Sequence, residues 1–256
     1  MKLYFRQTGE TGPAIVILHG LFGSSDNWLT TSKTIAANGY RVFLVDQRNH
    51  GQSPRANDQD YQNMAADLHE FLTDHGIDKS ILVGHSMGGK TVMQYAMTYP
   101  GTFEKLVVVD IAPKFYPIHH AEIIRGLKAI NLLGIKGRNE ADAILQTYEP
   151  ILAVRQFLLK NLYRNEQGVF DWRINIPVIE RELHGIGEEL TNPSIITAPA
   201  LFIRGSESPY ITNEDIPDIK RIFPNAQVQT IQGAGHWVQA EKPVEFVDVL
   251  MNFITS

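Results

Sequence analysis

The stretch ILVGHSMGG, residues 81–89, carries the strongest indication of the fold. An apolar run leads directly into the pattern Gly-x-Ser-x-Gly centred on Ser86, and a helical pattern follows over residues 87–98. A strand that passes through this pattern into a helix is the context of a nucleophile elbow. Because only small residues at positions 84 and 88 allow the strand and the helix to approach closely, we predict that Ser86 stands at a sharp turn as a nucleophile. The alternative is a surface serine in a turn of small residues, and the flanking strand and helix argue against it.

Further apolar runs on both sides of this stretch predict a sheet. They are continuous rather than alternating, which favours parallel strands covered on both faces. The predicted strands are 14–18, 41–45, 80–84, 105–109, 199–203 and 227–231, and residues 2–8 are expected to add an antiparallel edge strand. The predicted helices are 24–38, 60–75, 87–98, 213–222 and 241–254. Alternation of this kind predicts an α/β fold with right-handed crossovers.

One long segment, residues 113–194, interrupts this alternation. It contains no convincing strand, and its apolar residues fall at helical spacing. They are Ile123, Ile124, Leu127, Ile130 and Leu133, then Ile151, Val154, Phe157, Leu158 and Leu162. An insertion of this length is too long for an ordinary connection, so it is expected to form a small subdomain. The predicted core is then 1–112 together with 195–256.

Composition excludes several classes of function. The chain has 256 residues, a net charge of −5 and no cysteine, which rules out disulfides, thiolate metal sites and a cysteine nucleophile. A mildly acidic chain without basic runs is a poor nucleic-acid binder. No apolar stretch is long enough for a membrane span. The N-terminus lacks the apolar region of a signal peptide, so we expect a cytoplasmic protein. A monomer or a homodimer is expected.

Two loops supply further candidate catalytic groups. The loop HGLFG, residues 19–23, follows an early strand, and acyl transfer needs two backbone N–H donors for the developing oxyanion. We predict Met87, the residue after the nucleophile, as one donor and Leu21 as the other, with the neighbouring Phe22 as the alternative. His19 is expected to brace this loop through a hydrogen bond rather than act as a base.

The loop GAGHW, residues 233–237, follows the last predicted strand. A general base must be delivered to the nucleophile's side of the sheet on a mobile loop, and glycines allow this. Among the nine histidines, only His236 lies where the chain order of nucleophile, acid and base places the base. The pair His119-His120 has no nearby carboxylates and is a weak metal signal. No metal and no organic cofactor are expected.

Four segments together are similar to the α/β-hydrolase superfamily: HGLFG (19–23), DQRNHGQS (46–53), GHSMGG (84–89) and GAGHW (233–237). DQRNHGQS and GSESPYI (205–211) resemble a narrower esterase group that includes the YbfF-type bacterial esterases and the ABHD11-like hydrolases. The resemblance implies a mostly parallel sheet of about seven or eight strands with helices on both faces. It also implies that 113–194 is a helical lid inserted after the sixth strand.

The resemblance places the acid of the catalytic triad at an unusual position. Most family members carry it in a Gly-x-x-Asp turn after the seventh strand, where this chain has GSES, with Ser208 at the place of the aspartate. A second position after the sixth strand is occupied here by Asp110. Because neighbouring strands are about 4.8 Å apart, a carboxylate there reaches the imidazole. We expect Asp110 as the acid and Ser208 as its hydrogen-bonding partner. Glu207 is the rival, and a loop-capping role is the alternative for Asp110.

The implied activity is that of a serine carboxylesterase or thioesterase acting on a small acyl substrate. Phe22, Tyr210 and Trp237 are expected to contact this substrate. Residues 113–173 carry nine Lys or Arg against six Asp or Glu, which favours an anionic substrate such as an acyl-CoA unless these charges form a solvated helix face. Two alternatives stay open: a carbon–carbon bond hydrolase of diketone-like substrates, and a non-catalytic ligand receptor on the same fold.

Overall fold

A computed structural model describes residues 1–117, 120–191 and 194–256. Nine strands are present in these residues. In chain order they are β1 (Phe5–Thr8), β2 (Ala14–Leu18), β3 (Arg41–Val45), β4 (Ser80–His85), β5 (Lys105–Val109), β6 (Leu162–Arg164), β7 (Phe170–Trp172), β8 (Ala200–Gly205) and β9 (Ala226–Ile231). Each strand predicted from an apolar run therefore forms, with its ends shifted by two residues at most.

Seven of these strands form one sheet in the order β1-β3-β2-β4-β5-β8-β9. All neighbours are parallel except β1, which pairs antiparallel with β3 at the edge. Strands β2, β4 and β5 are buried along their whole length, because separate apolar clusters cover the two faces of the sheet. The predicted α/β architecture with a mostly parallel sheet of about seven strands is confirmed.

Helices connect the strands on both faces of the sheet. They are α1 (Leu29–Ala36), α2 (Tyr61–Asp74), α3 (Met87–Thr98), α4 (Ala121–Ala129), α5 (Arg138–Leu145), α6 (Leu152–Leu159), α7 (Ile176–Gly187), α8 (Ile216–Ile222), α9 (Val238–Glu241) and α10 (Pro243–Ile254). Short 3₁₀ turns at Ser25–Trp28 and Asn213–Asp215 precede α1 and α8. The sequence predicts a single continuous helix at each of these two places. Among the described residues, no helix has the length and apolar character needed to cross a membrane.

The segment between β5 and β8 holds α4 to α7 and, contrary to the sequence analysis, the hairpin β6-β7. Each hairpin strand has three residues, too few for an alternating pattern to be visible. Helix α4 ends at Ala129, so Leu133 lies outside it and is 84% exposed. Leu162 lies in β6 rather than in a helix. The segment follows β5, which ends directly before Asp110; this strand is the fifth in chain order and the one that the resemblance counts as the sixth.

Candidate active site

Ser86 stands in a strained turn between β4 and α3. Its backbone has φ 53° and ψ −118°, a positive φ that is uncommon for a residue with a side chain. A Cβ on residue 84 would lie 2.1 Å from the carbonyl oxygen of Gly88, and one on residue 88 would lie 2.5 Å from that of Leu18. Both glycines are therefore sterically required. The turn places Ser86 at the carboxyl end of β4 and at the N-terminus of α3.

Asp110 and His236 meet beside this turn. Asp110 directly follows β5, its side chain is fully buried, and its Oδ2 lies 2.8 Å from His236 Nδ1. The Gly205 amide donates to Asp110 Oδ1 at 3.2 Å, and the Ser208 hydroxyl donates to Asp110 Oδ2. The structure thus brings Asp110, Ser208 and His236 together. Glu207, the rival acid, is exposed, and its backbone amide bonds the carbonyl of Ala234.

The contact with Asp110 sets the proton positions on His236. A carboxylate only accepts hydrogen bonds, so Nδ1 carries a proton, and in the neutral imidazole the lone pair is then on Nε2. The imidazole also stacks on the Tyr210 ring, with the centroids 3.9 Å apart and the planes inclined by 19°. A neutral Nε2 on an imidazole held by two partners is the arrangement that a general base requires.

His85 is a positioning group that the sequence analysis did not identify. Its Nε2 donates to the backbone carbonyl of His236 at 2.8 Å. Burial lowers the pKa of His85 to about 3, so its ring is neutral and donates through one nitrogen only. Its partner lies on a loop 151 residues later in the chain, so the sequence gives no local signal for this contact.

Two backbone amides next to Ser86 are available as donors. Met87 is the first residue of α3, so its N–H has no partner within the helix. Among the described residues, neither the Leu21 amide nor the Met87 amide makes a hydrogen bond. The amide of Phe22, the alternative donor, is directed at His50 Nε2 at 3.3 Å. Leu21 and Met87 therefore remain as the candidate pair for an oxyanion.

Two buried histidines brace the loop that contains Leu21. His19 donates from Nδ1 to the Gly20 carbonyl at 2.8 Å, and its Nε2 accepts from the Gln47 amide at 3.0 Å. His50 donates from Nδ1 to the Arg48 carbonyl at 2.9 Å. The hydrogen bond predicted for His19 is present. Burial lowers the pKa of His19 to about 4 and that of His50 to about 3.

These three histidines predict sensitivity to acid. The folded-state pKa values of His19, His50 and His85 lie below the ordinary value of 6.5, so the unfolded chain binds more protons as the pH falls from 6.5 toward 4. Each histidine should lower the free energy of unfolding by about 1.4 kcal/mol per pH unit in this window. Urea unfolding at pH 7, 6, 5 and 4 measures the slope. A free energy of unfolding that stays constant over this range would show that these rings are not buried in the neutral form.

A cavity of about 40 Å³ opens beside Ser86. Its lining includes Leu21, Tyr61, Met87, Ile111 and Tyr210 from the core, and Tyr116, Leu183, Ile186 and Gly187 from residues 113–194. Of the three residues predicted to contact substrate, only Tyr210 lines it. Phe22 is 3% exposed and packs with its ring 5.9 Å from that of His120, while the Trp237 ring packs 5.7 Å from that of Phe157. The contact of these two side chains with substrate therefore stays a prediction.

The weak metal signal at His119-His120 is not tested, because His119 lies outside the described residues. In residues 1–117, 120–191 and 194–256, no group of three or more His, Asp or Glu side chains is arranged to hold a metal ion.

Comparison with known proteins agrees with this geometry. A family model described as alpha/beta hydrolase fold matches residues 13–132 and 138–243. Esterase YbfF of Escherichia coli is 39% identical over 262 residues, covering 100% of both chains. The sn-1-specific diacylglycerol lipase ABHD11 of Mus musculus is 39% identical over 251 residues, covering 95% of this chain and 81% of the relative.

A solved structure, a marine microorganism esterase, superimposes with a TM-score of 0.96 at 43% identity, covering 98% of this chain and 99% of the other. The resemblance read from the four sequence segments is thereby confirmed over nearly the whole length. The chain belongs to the alpha/beta hydrolase fold family, as an enzyme of the carboxylesterase type.

Proposed function

We propose that the chain hydrolyses carboxylic esters through an acyl-enzyme on Ser86. His236 acts as the general base, Asp110 orients it, and Ser208 supports Asp110. The observation that carries this proposal is the 2.8 Å contact between His236 Nδ1 and Asp110 Oδ2 beside the strained turn of Ser86.

The chemistry follows from the proton positions. His236 Nε2 removes the proton from the Ser86 hydroxyl as its oxygen attacks the acyl carbonyl. Asp110 holds the tautomer that makes this possible and stabilises the imidazolium that forms. The Leu21 and Met87 amides donate to the oxyanion, and each such donor is typically worth about 3 kcal/mol in the transition state. His236 returns the proton to the leaving alcohol, and water then releases the acid by the same steps.

The size of the cavity points to a short acyl group. A volume of about 40 Å³ has room for only a few water-sized groups. The walls are mainly apolar, and the hydroxyls of Tyr61 and Tyr116 are directed away to the carbonyls of Ile186 and Tyr210. Acyl groups of about two to four carbons are therefore the proposed substrates.

The basic side chains of residues 113–173 support a preference for thioesters less than the sequence suggests, because several of them are paired with carboxylates. Lys114 pairs with Asp215 at 2.7 Å, and Lys128 pairs with Glu180 at 2.7 Å. Arg155 pairs with Asp142 at 2.9 Å. No Lys or Arg lines the cavity among the described residues. We therefore propose esters as the principal substrates and keep acyl-CoA thioesters as an arm of the test.

We also propose that 113–194 forms the cap over the site. Helix α7 supplies Leu183, Ile186 and Gly187 to the cavity wall, so acyl groups would pass between this segment and the core. This arrangement makes the cap the element that limits the length of the substrate.

The test is hydrolysis of p-nitrophenyl esters from acetyl to dodecanoyl, beside the matching acyl-CoA thioesters. We expect the highest kcat/KM between acetyl and butyryl and a fall of at least about tenfold by octanoyl, because overfilling a fixed pocket is costly. A higher kcat/KM on thioesters than on esters would instead support recognition of an anionic acyl-CoA by the basic side chains of residues 113–173. Turnover of diketones without turnover of esters would favour the carbon–carbon hydrolase, and slow labelling by a serine-directed phosphonate would favour the receptor.

A further inference from the structure

One buried cation near the cavity has no part in the proposed chemistry. Lys90 lies in α3, one helical turn after Ser86, and is 1% exposed. Charged side chains are almost never buried without partners, because removal from water is costly. The position and the burial of Lys90 therefore call for a structural reason.

The partners of Lys90 lie at the end of the cap helix α7. Its ammonium donates to the backbone carbonyl of Gly187 at 3.2 Å and to that of Glu188. It also lies 5.0 Å from the centroid of the Tyr116 ring and 5.6 Å from that of Tyr61, within the range of cation–π attraction. Tyr61, Tyr116 and Gly187 line the cavity, so their contacts with Lys90 join the nucleophile helix to the cavity wall.

The last carbonyls of α7 also accept hydrogen bonds from two further groups, one in the core and one in the segment before α4. The Tyr61 hydroxyl donates to the Ile186 carbonyl at 2.7 Å, and the Tyr116 amide donates to the Gly187 carbonyl at 2.8 Å. The final carbonyls of a helix lack partners within it and attract cations. Lys90 supplies the only positive charge directed at this end among the described residues that contact it.

We propose that Lys90 is a specificity-determining residue: it fastens the last turn of α7 against the core and so fixes the wall that limits the acyl group. This rests on the proposed function only in its consequence for substrates. Ile186 and Gly187 line the cavity, and Lys90 holds the turn in which they lie.

The charge state of Lys90 agrees with this role. Burial lowers its pKa to about 8, while the carboxylates of Glu188 and Glu189 act in the opposite direction. At pH 7 the side chain is therefore mostly an ammonium, which makes stronger hydrogen bonds to carbonyls than a neutral group does.

The chain offers a matched control in Lys105. This lysine is also buried, and its ammonium donates to the Phe253 carbonyl at 3.1 Å and the Ile254 carbonyl at 3.0 Å, at the end of α10. It performs the same capping at a helix that contributes nothing to the cavity lining. Lys105→Met removes the same type of contact without touching the cavity wall.

The first test compares acyl-chain profiles of wild type, Lys90→Met and Lys105→Met. The proposal expects Lys90→Met to raise the ratio of kcat/KM for octanoyl over butyryl esters by about tenfold, because a released wall admits more methylenes. The ratio for Lys105→Met should equal that of wild type. Equal ratios in all three proteins would overturn the proposal.

The second test does not depend on activity. Amide hydrogen exchange should accelerate at least about tenfold at Tyr116 and over residues 186–190 in Lys90→Met, and not in Lys105→Met. Unchanged protection there overturns the role of Lys90 even if the enzyme is active. If wild type fails to hydrolyse any ester, the proposed function fails, and the exchange result still decides whether Lys90 fastens α7.

A milder variant covers the case in which Lys90→Met does not fold. Tyr61→Phe removes only the hydroxyl that bonds the Ile186 carbonyl and leaves the ring in place. We expect Tyr61→Phe to change the acyl-chain profile and the amide hydrogen exchange over residues 186–190 in the same direction as Lys90→Met, but by a smaller factor. No change in either measurement would count against a fastened wall.

Discussion

Replacing Ser86 with alanine is expected to lower kcat for ester hydrolysis by about 10⁶-fold, the loss found when the serine of a comparable triad is removed. The acyl-enzyme cannot form without the hydroxyl. The remaining groups then act only through binding and the oxyanion donors. The measurement is steady-state hydrolysis of the best p-nitrophenyl ester, with enough enzyme to detect a residual rate.

The fold should survive this change. Alanine is smaller than serine, and the positive φ at this position strains either residue. Circular dichroism and the melting temperature should therefore match those of wild type. A folded Ser86→Ala protein that retains full activity would remove the basis of the proposed mechanism.

Asp110→Asn is expected to lower kcat by about 10⁴-fold while leaving the geometry of the site in place. An asparagine amide turned toward His236 Nδ1 stabilises the wrong tautomer, so Nε2 carries the proton and no longer accepts one from Ser86. The loss should appear mainly in kcat rather than in KM, since Asp110 is fully buried and does not line the cavity.

Two further variants test whether Asp110 or Glu207 is the acid of the triad and whether Ser208 supports it. Glu207 is exposed, so Glu207→Gln should keep kcat within about twofold of wild type. Ser208→Ala removes one hydrogen bond to the Asp110 carboxylate and should cost about tenfold. If Glu207→Gln lost as much activity as Asp110→Asn was expected to lose, Asp110 would not be the acid.

The sheet could be predicted from the sequence because burial on both faces requires a run of apolar residues within each strand. Strands covered on both faces are apolar at nearly every position, so β2, β3 and β5 appear at the bounds predicted from the sequence. The turn at Ser86 could be read for a similar reason. A Cβ at either of its two glycines would lie only 2.1 or 2.5 Å from a backbone oxygen, so no other residue fits there.

The position of Asp110 required more than local pattern. A Val-rich strand that ends in aspartate fits a loop cap as well as a triad acid. The order of the family's strands placed it next to the nucleophile strand, and the structure puts β5 directly beside β4. The contact with His236 joins residues 126 positions apart, so periodicity alone gave no access to it.

The parts that escaped sequence reasoning depend on tertiary contacts. Hairpin β6-β7 is too short for a strand pattern to be visible. Lys90 looks like a surface residue of a helix until α7 is packed over it. The rings of Phe22 and Trp237 each pack against a neighbouring aromatic ring, and their contact with substrate stays a prediction.

The most direct test of the central claim is covalent labelling by a serine-directed phosphonate, followed by intact-mass and peptide mass spectrometry. We expect one adduct per chain, located on Ser86 and formed in proportion to the loss of esterase activity. Ser86→Ala should remain unlabelled, and Asp110→Asn should be labelled far more slowly. An enzyme that hydrolyses esters while its adduct lies elsewhere, or while Ser86 stays unmodified, would contradict the account.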